Sequence, residues 1–233
     1  MKLRGLYAIL DVETLDARRI HPIEFARALL GARPAALQVR SKVAPVYQTL
    51  GLLRELQPLC RQAGVPLVAN DRADLAVWAS CDMVHVGQTD ENIEQVRRRF
   101  PGLAIGLSTH TLAELDSALV TRPAYVAFGP VFSTRTKVGA APTVGLHDLV
   151  AAYARAKSAG IPLVAIGGIT ASRAPNLLGA ADALAVISDL LPRAKDMGPR
   201  AEGWQRSVSA RARFYRDLIA SGPSATVIPS HAS

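Results

Sequence analysis

"QVRSK" at residues 38–42 sets an amide, a guanidinium and an ammonium at alternate positions, Gln38, Arg40 and Lys42. In an extended strand, side chains two apart share a face. The three together predict an anion site, because partly buried cations need a counter-charge; a solvated loop is the plainer alternative. Asp71, in "ANDRADLA", and Asp90, closing "VGQTD", each follow a further apolar run. Two carboxylates converging on one mouth repel unless a proton or a cation sits between them. Mg2+ suits such a pair, since it takes one or two carboxylates and completes its shell with phosphate oxygens and water. Read singly, each carboxylate is better explained as a helix cap, Asp71 for a helix starting near Ala73 and Asp90 for one starting near Asn92.

"AIGGIT" (165–170) and "AVIS" (185–188) look like paired turns whose backbone N–H groups face a phosphate, with plain turn residues as the alternative for Gly167 and Gly168. The segment "FGPVFSTRTKVGAAPTVGL" (128–146) is rich in glycine, proline and threonine and carries Arg135 and Lys137. Loops this long inside compact domains are usually functional or disordered. His85 alternates with Val84 and Val86 and reads as a packed structural histidine; His110 has no carboxylate paired with it in sequence.

The elements that must position these groups are legible as short apolar runs at 6–10, 36–39, 66–69, 83–86, 104–107, 125–128, 162–166 and 183–187. They are nearly continuous rather than alternating, which marks strands covered on both faces. Helical spacing fills 46–63, 92–99, 111–119 and 147–159, with "AGVP" and "AGIP" ending two of the helices and restarting strands. The alternation predicts an α/β chain folded as a (β/α)8 TIM barrel over residues 1–192, with a doubly wound open sheet as the alternative. Barrel chemistry sits at the carboxyl ends of strands. That rule gathers Gln38, Arg40, Lys42, Asn70, Asp71, Asp90, Ser108, Thr134, Thr136, Lys137, Gly168, Ile187 and Ser188 at one mouth.

Residues 193–233 form a basic C-terminal extension, with one helix expected within 200–219 and a flexible tail after it. Seven Arg or Lys against three Asp or Glu put half of the formal net charge of +8 there. No basic stripe is interleaved with aromatics, so small anions are expected rather than nucleic acid. Cys60 and Cys81 lack zinc spacing and read as free buried thiols. The first apolar stretch is broken by Asp11 and Glu13, so neither a signal peptide nor a membrane span is expected, and the setting is read as cytoplasmic. Oligomeric state stays open, a homo-oligomer included.

From "LYAILD" (6–11) to "AVIS" the chain resembles the thiamine-phosphate synthase family. The resemblance rests on Gln-x-Arg-x-Lys at 38–42, the Asn70-Asp71-Arg72 segment, "VHVGQTD" (84–90), the serine of "GLSTH" (106–110) and Thr-x-Thr-Lys at 134–137. It implies a transferase that joins hydroxymethylpyrimidine diphosphate to hydroxyethylthiazole phosphate, giving thiamine monophosphate and pyrophosphate. By the same resemblance Gln38, Arg40, Lys42 and Asn70 hold the pyrimidine diphosphate, and Asp71 and Asp90 hold Mg2+. Ser108 and Lys137 contact the departing pyrophosphate; Thr134 and Thr136 contact the thiazole phosphate; Gly168, Ile187 and Ser188 surround the phosphate of the thiazole or product. Ser41 stands where the family usually has glutamate and Leu10 where it often has threonine, two departures expected near the mouth. The alternatives are a thiazole tautomerase-like relative and a non-catalytic thiamine-phosphate sensor.

Overall fold

The computed structural model describes residues 3–134, 142–197 and 203–221. Its strands are β1 (Gly5–Asp11), β2 (Ala36–Arg40), β3 (Leu67–Asn70), β4 (Met83–Val86), β5 (Ala104–Thr109), β6 (Tyr125–Phe128), β7 (Leu163–Ile166) and β8 (Ala183–Val186). Each pairs in parallel with the next, and β8 returns to β1 through Gly5 opposite Ala183. Closure leaves no unpaired edge, so the chain is a (β/α)8 barrel and not an open sheet.

The near-continuous apolar strands resolve into two files. Tyr7, Ile9, Val68, Met83, Tyr125, Ala127, Val164 and Ala185 pack together inside the barrel. The intervening Leu6, Ala8, Leu10, Leu37, Val39, Val84, Val126 and Leu184 pack against the helices. Toward the carboxyl ends the inward file turns polar, at Gln38 and Arg40, Asn70, His85 and Ser108. Alternation therefore aims these side chains into the barrel mouth.

The helices are α1 (Val12–Ala17), α2 (Pro22–Leu30), α3 (Val46–Ala63), α4 (Ala73–Trp78), α5 (Ile93–Arg99), α6 (Leu112–Val120), α7 (Gly145–Ser158) and α8 (Trp204–Ser221). α2 lies outside the expected helices; proline in its first turn and a buried stripe of Ile23, Phe25, Ala26, Leu29 and Leu30 account for it. Between β7 and β8 the alternation fails, because only a 3-10 turn, Ala174–Leu177, fills the connection. Pro175 and Gly179 interrupt any longer helical run there.

α8 is the helix expected in the basic extension. Val208, Ala212, Tyr215 and Ile219 bury one face of it in the layer between barrel and helices. Arg216 donates to the Ala32 carbonyl (3.1 Å) and Ser209 to that of Ala28 (2.6 Å), which fastens α8 beside α2. This part of the extension is packed as barrel structure. Cys60 and Cys81 are buried, and burial pushes both thiols up to about 12, so they stay protonated. Among the described residues no helix is long and apolar enough to cross a membrane.

Candidate active site

A cavity of about 420 Å3 opens at the carboxyl ends of the strands. Gln38, Arg40, Lys42, Asn70, Asp71, Asp90, Ser108, Thr134, Gly168, Ile187 and Ser188 all line it. Thr136 and Lys137 lie outside the described residues. Of the two departures, Leu10 is buried in the helix-facing layer, whereas Ser41 lies beside the mouth as expected, lining a smaller cavity with Val39 and Thr49 that shares Lys42, Asn70 and Asp71 with it.

Both cations of the expected anion site already have a carboxylate partner. Strand register sets Asp11 opposite Arg40, and Arg40 Nη1 lies 2.5 Å from Asp11 Oδ2, with Glu13 at 3.9 Å. Lys42 Nζ donates to Asp71 Oδ2. Each pair spans 29 residues of sequence, a separation that local pattern does not reveal.

Neither expected carboxylate cap is present. The residue preceding α4 is Arg72, with no capping side chain, and α5 is capped by Asn92, which accepts from the Gln95 N–H at 2.9 Å while Gln95 returns to the Asn92 N–H. Asp71 instead adopts φ 62° and donates its N–H to the His85 carbonyl at 2.7 Å. A left-handed non-glycine residue costs about 1–3 kcal/mol and persists only where its surroundings impose it; here the bend brings the carboxylate onto the mouth. Asp90 folds back to accept from the Gly87 N–H at 2.8 Å.

Asp71 and Asp90 then face each other. Burial pushes the Asp71 carboxyl up, Lys42 pulls it down, and Asp90 adds to the push. Burial also works against the Asp90 charge, but the Gly87 N–H, Asp71 and Lys42 together hold Asp90 below its ordinary value. This donor set fits Mg2+: two carboxylates leave room for ligand oxygens and water, and no group of three or more His, Cys, Asp or Glu suited to a wholly protein-bound ion occurs among the described residues.

Beneath the carboxylates runs a buried hydrogen-bond chain. Tyr7 Oη donates to Gln38 Oε1 at 2.7 Å, and Gln38 Nε2 donates to Asn70 Oδ1 at 2.6 Å. Tyr125 Oη is 2.6 Å from Tyr7 Oη and 2.9 Å from His85 Nδ1, whose Nε2 is 2.7 Å from Ser108 Oγ. Because Tyr7 has one proton and gives it to Gln38, Tyr125 is the donor to Tyr7, and the Tyr125 oxygen accepts from His85 Nδ1–H. Burial pushes both phenols up, which keeps those protons in place. Gly106, paired with Tyr125 across β5 and β6, makes room for the ring; a Cβ there would lie 2.1 Å from Tyr125 Cζ. His85 is packed as expected, stacked on Tyr125 with ring centroids 5.6 Å apart, yet it also reaches Ser108. Tyr7 and Tyr125 were legible only as lone phenols inside apolar runs. At the end of the chain Asn70 Nδ2 is buried with no protein partner, a donor that a bound acceptor would satisfy.

Backbone builds the opposite side. Val131 and Phe132 donate their N–H groups to the Ile166 (2.8 Å) and Gly167 (3.1 Å) carbonyls, so the root of the long loop is stitched to the end of β7. Gly168, at φ 61°, passes so close that a Cβ would lie 2.4 Å from the Ser133 carbonyl oxygen. His110 Nδ1 donates to the Gly129 carbonyl at 2.5 Å, and Glu114 accepts its N–H at 2.7 Å, which makes it a strut of this loop root.

Strand-end side chains and glycine loops around one cavity define a (β/α)8-barrel enzyme. The family model described as thiamine monophosphate synthase matches residues 6–190. Curated thiamine-phosphate synthases from Methanocella arvoryzae and Chloroflexus aurantiacus are each 38% identical to this chain, over 92% of it and 94% and 92% of their own lengths. The solved thiamine phosphate pyrophosphorylase from Pyrococcus furiosus is 29% identical with a TM-score of 0.76, covering 94% of this chain and 96% of that one. The chain belongs to the thiamine monophosphate synthase family. These relatives do not favour the tautomerase-like and sensor readings.

Proposed function

We propose that the chain forms thiamine monophosphate from hydroxymethylpyrimidine diphosphate and hydroxyethylthiazole phosphate with release of pyrophosphate, and that it requires Mg2+. The carbon–oxygen bond to pyrophosphate breaks with its electron pair on the leaving group, and the thiazole nitrogen lone pair forms the new carbon–nitrogen bond. The aminopyrimidine ring delocalises the positive charge on carbon between these events, so no protein nucleophile is needed. Catalysis rests on leaving-group stabilisation and on positioning.

The observation that carries this reading is the Asp71–Asp90 pair at the mouth, beside Lys42 and Arg40 and above the open Asn70 donor. Asp71 and Asp90 would hold Mg2+, which when bound supplies positive charge to the diphosphate oxygens. Gln38, Arg40, Lys42 and Asn70 bind the pyrimidine diphosphate, and Ser108 and Lys137 face the departing pyrophosphate. Thr134 and Thr136 bind the thiazole phosphate; Gly168, Ile187 and Ser188 surround a phosphate on the β7–β8 side. The reaction takes place in the cytoplasm on small molecules, without nucleic acid or membrane.

Incubation with both substrates tests the reading. Thiamine monophosphate and pyrophosphate should appear in equal amounts with Mg2+, stop with a chelator and resume when Mg2+ is restored. Full turnover in chelator would overturn the metal requirement, and product without pyrophosphate would overturn the chemistry.

A further inference from the structure

The helix α8 reaches the cavity loops from behind. Tyr215, fully buried on α8, donates from Oη to Asp189 Oδ2 at 2.6 Å, and the same oxygen accepts the Ala171 N–H at 3.1 Å. Ala171 lies three residues past Gly168 in the loop after β7; Asp189 directly follows Ser188 in the loop after β8. One carboxylate oxygen therefore ties the two loops together, and an outer helix holds the tie. Arg211, one turn earlier on α8, donates to the Leu191 carbonyl at 2.7 Å and pairs with Asp196 at 3.4 Å. Arg193 Nη2 stands 3.6 Å from Asp189 Oδ1 and offsets its charge. Neither Asp189 nor Tyr215 lines the cavity, whereas Gly168 and Ser188 do.

We propose that Tyr215 is a positioning residue for phosphate recognition: through Asp189 it sets the spacing between the Gly168 and Ser188 loops that receive the phosphorylated thiazole. This rests on the reading above that these loops take that phosphate. Loop donors bind an anion well only when their separation is held to a fraction of an ångström by supporting bonds. Without the phenol, Asp189 loses its short bond, the carboxylate is left with the Ala171 N–H and a distant arginine, and the two loops separate.

Tyr215→Phe in the full chain keeps the ring packing and removes only the donor. With each substrate varied in turn, the KM for thiazole phosphate should rise about 5- to 10-fold while kcat and the KM for pyrimidine diphosphate change less than about 2-fold. Ile219→Ala loosens α8 without touching Asp189 and should lower the Tm with both KM values kept. Asp189→Asn retains an acceptor oxygen and should raise the thiazole KM less than Asp189→Ala does. An unchanged thiazole KM in Tyr215→Phe, or an equal rise in both KM values, overturns the proposal. If Tyr215→Phe does not fold, identical thiazole KM values for the two Asp189 variants overturn it. Wild-type turnover that saturates with thiazole phosphate shows that the underlying reading stands even when the brace fails; its absence would overturn both.

Discussion

Over β2, β3 and β4 the cavity mouth is built from charged side chains; over β7 and β8 it is built from backbone turns braced from outside. On the first side Arg40, Lys42, Asp11 and Asp71 are already paired with one another, so under the proposed function a ligand would exchange partners with these charges. On the second side Gly168 packs against Ser133 and Asp189 clamps Ala171, so the geometry exists before any ligand arrives. Substitutions on the charged side should therefore alter turnover and metal requirement, and those on the backbone side should alter affinity for one substrate.

The largest expected effect is on the charged side. Asp71→Asn should lower turnover at least about 10-fold and raise the Mg2+ concentration needed, with Asp90→Asn acting in the same direction. Because neither residue caps a helix, their Tm should stay near wild type. A magnesium titration of both variants decides this, and an unchanged requirement in each would remove the metal assignment.

Gly168→Ala tests the other side. A methyl group there meets a carbonyl oxygen at 2.4 Å on a backbone at φ 61°, and the substitution should cost about 1–3 kcal/mol in urea unfolding. The thiazole phosphate KM should rise while the pyrimidine diphosphate KM holds. Equal damage to both constants would mean that the two sides of the mouth do not act separately.

Tyr125→Phe cuts the chain that runs beneath both sides. It removes the hydroxyl that bridges Tyr7 Oη and His85 Nδ1, and should cost about 1–3 kcal/mol in the same unfolding measurement. A smaller kcat should accompany it, since Gln38 and Ser108 lose their link; a variant as stable and as active as wild type would show that the chain positions nothing. The smallest effect is expected from Asn92→Ala, which removes the α5 cap for about 1 kcal/mol and leaves the magnesium requirement unchanged. A shifted requirement would show that Asp90 depends on that cap.

By itself the sequence determined the strands and most of the mouth. An apolar run of four to five residues covered on both faces is a local property, and a polar residue at its carboxyl end projects from the barrel rim whatever the neighbours are. Gln38, Arg40, Asn70 and Ser108 were readable for that reason. Only the tertiary structure decided which groups meet. Strand register put Asp11 on Arg40, barrel closure brought Tyr7 of β1 to Tyr125 of β6, and Tyr215 on α8, 26 residues beyond Asp189, supplied the donor to its carboxylate. The same holds for the direction of a short side chain: Asp71 and Asp90 fall one and two residues short of the cap positions, and it was the left-handed turn at Asp71 and the Gly87 bond of Asp90 that aimed them at the mouth. Partner choice across a barrel depends on distances set by closure and stagger among all eight strands, and no local periodicity carries that information.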